Sequence, residues 1–207
     1  SPTATNSPDA SPGSNAGDGS THDDPADYKW DESSVVEISL RGDIATSGSN
    51  AVKVDGSTVT VTRAGTYRLS GTLSDGQVVV ETADAGTVRL ILNGVTITNA
   101  DQAAIAVNDA KKVVLILADG SKNSLTDGEK YAFADAATDE PNAALFSTAD
   151  LTIAGSGSLA VNGKYNDGIT SKDGLIIAGG TISVNAADDG IRGKDYVVLK
   201  GGSVSVI

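Results

Sequence analysis

The sequence predicts an all-β protein, a three-faced parallel β-helix with about 22 residues per coil. Three observations predict it. Residues 166–184 (NDGITSKDGLIIAGGTISV) return as residues 188–206 (DDGIRGKDYVVLKGGSVSV), with a constant offset of 22 from Asp167 and Asp189 to Val184 and Val206. Short β-branched and aliphatic runs are punctuated by Gly, Asn and Asp at the spacing of strands and turns. Aromatic residues make up only 4% of the chain, which suits a narrow aliphatic interior.

The elements follow in order. Residues 1–34 hold seven acids, one base and four of the five prolines, and no Val, Ile, Leu or Phe. Such a stretch buries too little apolar surface to offset its ordering entropy, so it reads as a disordered Ser/Thr/Pro/Asp-rich linker. Its single histidine, His22, is therefore given no role. Tyr28 and Trp30 end the linker, and they either cap the first coil or stack on a sugar ring. From residue 35 to 207 the chain reads as one β-helical domain. Strands are expected at Val35–Leu40, Thr58–Thr62, Gln77–Glu81, Val88–Leu92, Val113–Leu117, Leu151–Ile153 and Val197–Leu199. Glu129–Phe146 is Ala- and Asp-rich, is broken by Pro141, and reads as a loop.

Each repeat unit holds three short strands, for instance around Ile169, at Leu175–Ile177 and at Thr181–Val184. Alternation puts Ile182 and Val184 on one face, assigned to the interior. The Gly179-Gly180 and Gly201-Gly202 pairs are assigned to the tight corner. A weaker copy precedes the two units: Leu151–Gly155 matches Leu175–Gly179, and Leu159–Val161 matches Ile182–Val184. At this period the domain holds roughly seven or eight coils. The chain stops in mid-strand, so further coils are expected beyond Ile207.

Composition excludes several chemistries. There is no Cys, hence no disulfide, thiolate site or Cys nucleophile, and one His cannot build a His-rich metal site. A net charge of −12 argues against nucleic acid as a partner. No apolar run approaches the roughly 20 residues of a membrane span. The chain reads as a monomer.

The repeat stacks carboxylates. One coil apart is about 4.8 Å, so Asp189 lies beside Asp167 and Asp195 beside Asp173. Two carboxylates at that distance repel by about 3 kcal/mol at an effective dielectric near 20. Calcium, which prefers carboxylate and carbonyl oxygens, would offset this, with Asn166, Asp167, Asp173, Asp188, Asp189 and Asp195 as its candidate ligands. Lys172 and Lys194 would instead neutralise the ladder directly, and Asp-Gly is also an ordinary turn former. Lys172, Arg192 and Lys194 are candidates to pair with a carboxylate of a ligand. Tyr165 and Tyr196 flank the acidic corners, where they line a groove or pack the ladder. Lys111, Lys112 and Lys122 read as solvated face charges.

Several phrases carry a family resemblance: GTYRLSGTLSDGQVVV (Gly65–Val80), LILNGVTITN (Leu90–Asn99), AALFSTADLTIAGSGSLAV (Ala143–Val161), and the paired NDGITSKD and DDGIRGKD units. The chain resembles a secreted bacterial carbohydrate-binding domain of the right-handed parallel β-helix type, similar in fold to family 9 pectate lyases. The resemblance implies calcium-dependent binding of acidic plant-type polysaccharide, polygalacturonate (pectin) above all, and also cellulose. It implies an exported protein displayed at the bacterial surface, tethered through the N-terminal linker. It places calcium on Asp167, Asp188, Asp189 and Asp195, with Asp173 beside them. Lyase activity is not implied. The alternative reading is β-elimination on polyuronate with calcium, for which Lys172 or Lys194 would be the base.

Overall fold

The computed structural model describes residues 20–133, 135 and 137–207. Among the described residues the chain passes repeatedly through three parallel strand ladders. The first holds Val36–Gly42, Gly65–Leu73, Thr87–Thr98, Lys112–Leu117, Asp150–Gly155, Gly174–Ile177 and Tyr196–Leu199. The second takes the C-terminal parts of Gly65–Leu73 and Thr87–Thr98, then Lys122–Thr126, Ser158–Gly163, Thr181–Ala186 and Ser203–Val206. The third holds Thr58–Val61, Gln77–Glu81, Ile105–Asp109, Ala143–Ser147, Asp167–Ser171 and Ile191–Gly193. Two long strands belong to both of the first ladders, so these form one curled twelve-stranded sheet facing a seven-stranded one.

The registers reproduce the repeat. Ile169 pairs with Ile191, Leu175 with Val197 and Ile182 with Val204. Leu151 pairs with Leu175 and Leu159 with Ile182, as the weaker copy requires. Interior columns follow from the alternation of side chains along each strand. Val88, Val113, Leu151 and Leu175 stack in one column, and Leu90, Leu115, Ile153 and Ile177 in the next, all essentially buried. Ile182 and Val184 face the interior, as expected. Each such aliphatic side chain contributes about 1.5–3 kcal/mol by leaving water, and this repeated burial is what holds the stack.

Gly180 and Gly202 have φ of +92° and +83°, a conformation that only glycine adopts freely, so they do form the corner. Gly155 is more constrained. Its φ is +97° and a Cβ there would stand 2.1 Å from the Leu117 carbonyl oxygen of the neighbouring rank. Gly155→Ala is expected to cost at least about 2 kcal/mol, from strain and backbone displacement together. Thermal melting would check it: a variant that melts with the parent shows that the ranks yield there.

Four expectations need correction. The third ladder is six parallel ranks deep and the first and second are seven with Val36–Gly42, at the low end of or below the seven or eight coils expected. The difference lies in residues used elsewhere. Val36–Gly42 pairs antiparallel with Ala45–Ser47, and Val52–Asp55 pairs antiparallel with Thr58–Val61 across a turn containing Gly56 (φ +55°). A long excursion also separates Lys122–Thr126 from Ala143–Ser147. Second, the expected loop Glu129–Phe146 ends early, because Ala143–Phe146 is buried strand in the third ladder. Third, residues 20–34 are not free linker, and the part of the expected linker before Ser20 lies outside the described residues. They form two short 3-10 turns, Pro25–Tyr28 and Glu32–Ser34, laid against the outer surface of the first ladder. Fourth, Lys112 is no solvated charge: its side chain is 14% exposed and its Nζ is 2.8 Å from Oδ2 of the buried Asp27.

Trp30 does not cap the stack. It lines a cavity on the outer surface of the first ladder with Arg68, Ile91 and Ile116, and its indole N–H donates to Glu32. Tyr28 donates its hydroxyl proton to Asp23.

Candidate functional site

The repeat brings the expected acidic residues to two corners. At the corner between the second and third ladders, Asp188 N–H donates to the Asn166 carbonyl at 2.9 Å, so these two units do stack. Asp167 is fully buried. Its carboxylate accepts from Thr170 Oγ1 at 2.8 Å, Asn166 Nδ2 at 3.0 Å and the Asp189 N–H at 3.3 Å, with Arg192 Nη1 at 3.8 Å. Those bonds occupy both of its oxygens. Asp167 ties one repeat to the next, while Asp188 and Asp189 are exposed.

At the corner between the third and first ladders, Asp195 N–H donates to the Asp173 carbonyl at 3.3 Å. Burial pushes the Asp173 carboxyl up, and the charges of Asp150 and Asp195 push it the same way. Asp150 accepts from Gly174 N–H at 3.1 Å and lies 2.9 Å from His22 Nδ1. His22 Nε2 is 2.8 Å from Thr152 Oγ1, and burial holds the imidazole below its usual range against the pull of Asp150. Sequence reasoning missed both Asp150 and His22. Asp150 occupies the position that Gly174 holds in the next repeat, so aligning the units does not flag it. His22 was set aside because the composition around it is that of a linker.

A hard cation was tested against these donors. The oxygen groups of Asp150, Asp173 and Asp195 suit calcium in kind. Asp167 suits it less, because three hydrogen bonds already engage its two buried oxygens. Among the described residues no three carboxylate or imidazole groups converge on one point that could hold an ion.

The two expected tyrosines are engaged elsewhere. Tyr165 stacks on Tyr131 with ring centroids 4.2 Å apart, and Phe133 meets it edge-on. The Tyr131 hydroxyl in turn lies 2.7 Å from Asp127 Oδ2 and 3.0 Å from the Ala143 carbonyl oxygen, with one proton to give to either. This cluster anchors the excursion and leaves Tyr165 no free face for a sugar on the Tyr131 side. Tyr196 stacks on the His22 ring, and its hydroxyl accepts from the His22 backbone N–H at 2.8 Å.

The expected cations do come together. Lys172, Arg192 and Lys194 line a pocket of about 160 Å³ with Asn142, Thr170 and Ser171. Lys172 is one half of an ion pair with Glu140. Asn142 Oδ1 is buried and accepts no hydrogen bond. Three positive side chains around a small recess suit a carboxylate. A larger groove of about 650 Å³ follows the second ladder, lined by Thr126, Asn162 and Asn185 with Glu129 and Lys164 at its rim.

Residues 55–207 match the family described as carbohydrate-binding domain-containing protein. The chain belongs to this family. It is 44% identical over 142 residues to a carbohydrate-binding domain-containing protein of Acetivibrio thermocellus, a match covering 66% of this chain and 50% of that protein. The chain thus spans about half the length of this curated relative. Among solved structures it is similar to a polysaccharide lyase-like protein from C. thermocellum, described as a gadolinium derivative. The TM-score is 0.75 at 33% identity, covering 83% of this chain and 81% of that one.

Proposed function

We propose that the chain binds acidic polysaccharide, polygalacturonate above all, by seating a uronate carboxylate among Lys172, Arg192 and Lys194. The convergence of those three side chains on one recess carries the reading. It also answers a charge difficulty: a protein at −12 repels a polyanion at long range, so the anion needs a locally positive seat. The fold in this reading is the right-handed parallel β-helix, supported by the repeat registers and by the solved neighbour. Calcium is part of the proposal. Asp173 and Asp195, with Asp150 alongside, would hold it once drawn together, and the ion would supply a bridge between protein carboxylates and a uronate. Display outside the cell, where such glycans occur, completes the reading.

The test is affinity for polygalacturonate. Replacing Arg192 and Lys194 together by Ala is expected to weaken binding about tenfold or more, the scale of one lost charge-assisted hydrogen bond. A chelator is expected to weaken binding by the parent further and to lower its melting temperature. Parent-like affinity in the double variant would overturn the pocket, and indifference to chelator would overturn the role of calcium. Of the two candidate bases of the lyase alternative, Lys172 is paired with Glu140, which leaves Lys194. No unsaturated uronate, read as ultraviolet absorbance, is expected with calcium present.

A further inference from the structure

On the outer surface of the first ladder Arg68, Arg89 and Lys112 stand in successive ranks and Lys200 in the last, with Asp150 between Lys112 and Lys200, and the chain's own N-terminal segment lies along this stripe. Arg68 pairs with Glu32 and with Glu37, the latter at 2.8 Å. Arg89 donates from Nε to the Asp27 carbonyl at 2.9 Å and from Nη2 to the Ala26 carbonyl at 2.8 Å. Lys112 Nζ donates to Asp27 Oδ2 and to the His22 carbonyl, both at 2.8 Å. Lys200, in the last rank, pairs with Asp23. The segment therefore runs from the last rank back to the early ones, along the stack axis, and meets a cation at each of four points.

Three features set it apart from an ordinary tail. It is acidic, with Asp23, Asp24, Asp27, Asp31 and Glu32 against a single Lys29. Between and before its two short turns the backbone is extended at Asp24, Lys29 and Asp31. The segment meets Lys200, Lys112 and Arg68 through the carboxylates of Asp23, Asp27 and Glu32, the group that a polyuronate also offers. Its end contacts, Asp23 with Lys200 and Glu32 with Arg68, are surface pairs, with the carboxylate of Glu32 and the ammonium of Lys200 largely in water. Such pairs hold weakly, so the ends are the places where exchange begins.

We infer that the stripe Arg68–Arg89–Lys112–Lys200 is a second track for acidic polysaccharide, and that residues 22–32 are its built-in occupant, displaced from their ends inward when the glycan binds. This rests on the acidic-glycan reading above but uses a different face from the Arg192 pocket. Displacement gives the protein a threshold: a long polyanion, which can replace several contacts at once, competes with the tethered segment better than a short one.

The experiment uses the full chain, with polygalacturonate as the probe and a chelator present throughout. The variant Asp23→Asn with Glu32→Gln loosens both ends without touching the buried Asp27, and thermal melting confirms that it folds. A control, Asp55→Asn with Glu81→Gln, removes the same charge from exposed sites on strands outside the stripe. The loosened variant is expected to bind about fivefold tighter than the parent and the control to stay within twofold. Hydrogen exchange at residues 22–32 of the parent is expected to rise when polygalacturonate saturates it. Equal gains in variant and control, or unchanged protection of 22–32 at saturation, would overturn the inference while the Arg192–Lys194 result still stands. If no protein of the set binds polygalacturonate in chelator, the second track falls; if none binds with calcium added back either, the acidic-glycan reading falls with it.

Discussion

Asp27→Ala is expected to lose about 3 kcal/mol or more of stability, one of the two largest effects anticipated for this chain. The Asp27 and Lys112 side chains are 3% and 14% exposed, and the pair is 2.8 Å apart. Removing the carboxylate leaves an ammonium surrounded by protein with only the His22 carbonyl for a partner. The penalty is the desolvation of that orphaned charge more than the attraction lost. The companion substitution Lys112→Met with Asp27→Leu is expected to recover most of the loss, because it removes both charges and leaves apolar bulk. Denaturant unfolding of the two forms would check this. A single variant within 1 kcal/mol of the parent would show that water reaches Lys112 and that the N-terminal segment is not docked in solution.

Asp167→Ala is expected to cost a comparable amount, about 3 kcal/mol, with or without calcium. Its carboxylate is fully buried and satisfies Thr170 Oγ1, the Asn166 amide and the Asp189 N–H. Truncation leaves those donors unpaired where water does not reach, at about 1–3 kcal/mol per group, partly relieved by rearrangement. Asp173→Asn contrasts with this. Asp173 sits among like charges that push its carboxyl up, so neutralising it removes repulsion rather than support. The pair separates two meanings of a repeated aspartate. If Asp167→Ala melts like the parent in chelator but loses a calcium-induced rise in melting temperature, Asp167 is a metal ligand and the structural reading fails.

The architecture was legible in the chain because it repeats. A 22-residue offset converts directly into the pairing of Ile169 with Ile191 and of Ile182 with Val204, since stacked strands must keep register to bury one face. The three cations of the pocket were legible for the same reason: Lys172 and Lys194 are one repeat apart, and Arg192 lies within the same unit. What was lost was whatever does not repeat. The two antiparallel pairs near the start and the excursion after Thr126 have no second copy. The sequence leaves open whether Tyr165 lines a groove or packs, because Tyr131, which covers it, lies in the non-repeating excursion, three strands earlier in the chain.

Local pattern by itself determined the strands, their stacking and which aliphatic side chains face inward. The period that sets the hydrogen-bond register also sets the burial, so both are written in one short stretch of sequence. The tertiary structure alone decided the roles of the polar residues. Asp167 and Asp189 are equivalent in the repeat, yet Asp167 is buried and hydrogen-bonded by Asn166 and Thr170, while the next unit has Asp188 and Arg192 at those two positions and its Asp189 is exposed. His22 and Asp27 sit in a stretch whose composition promises no order. They are held by Thr152, Asp150, Lys112 and Tyr196, residues 85 to 174 positions away in the chain. Contacts of that separation leave no periodic trace, since a single charge finding a single partner across the fold has no spacing for a sequence to display.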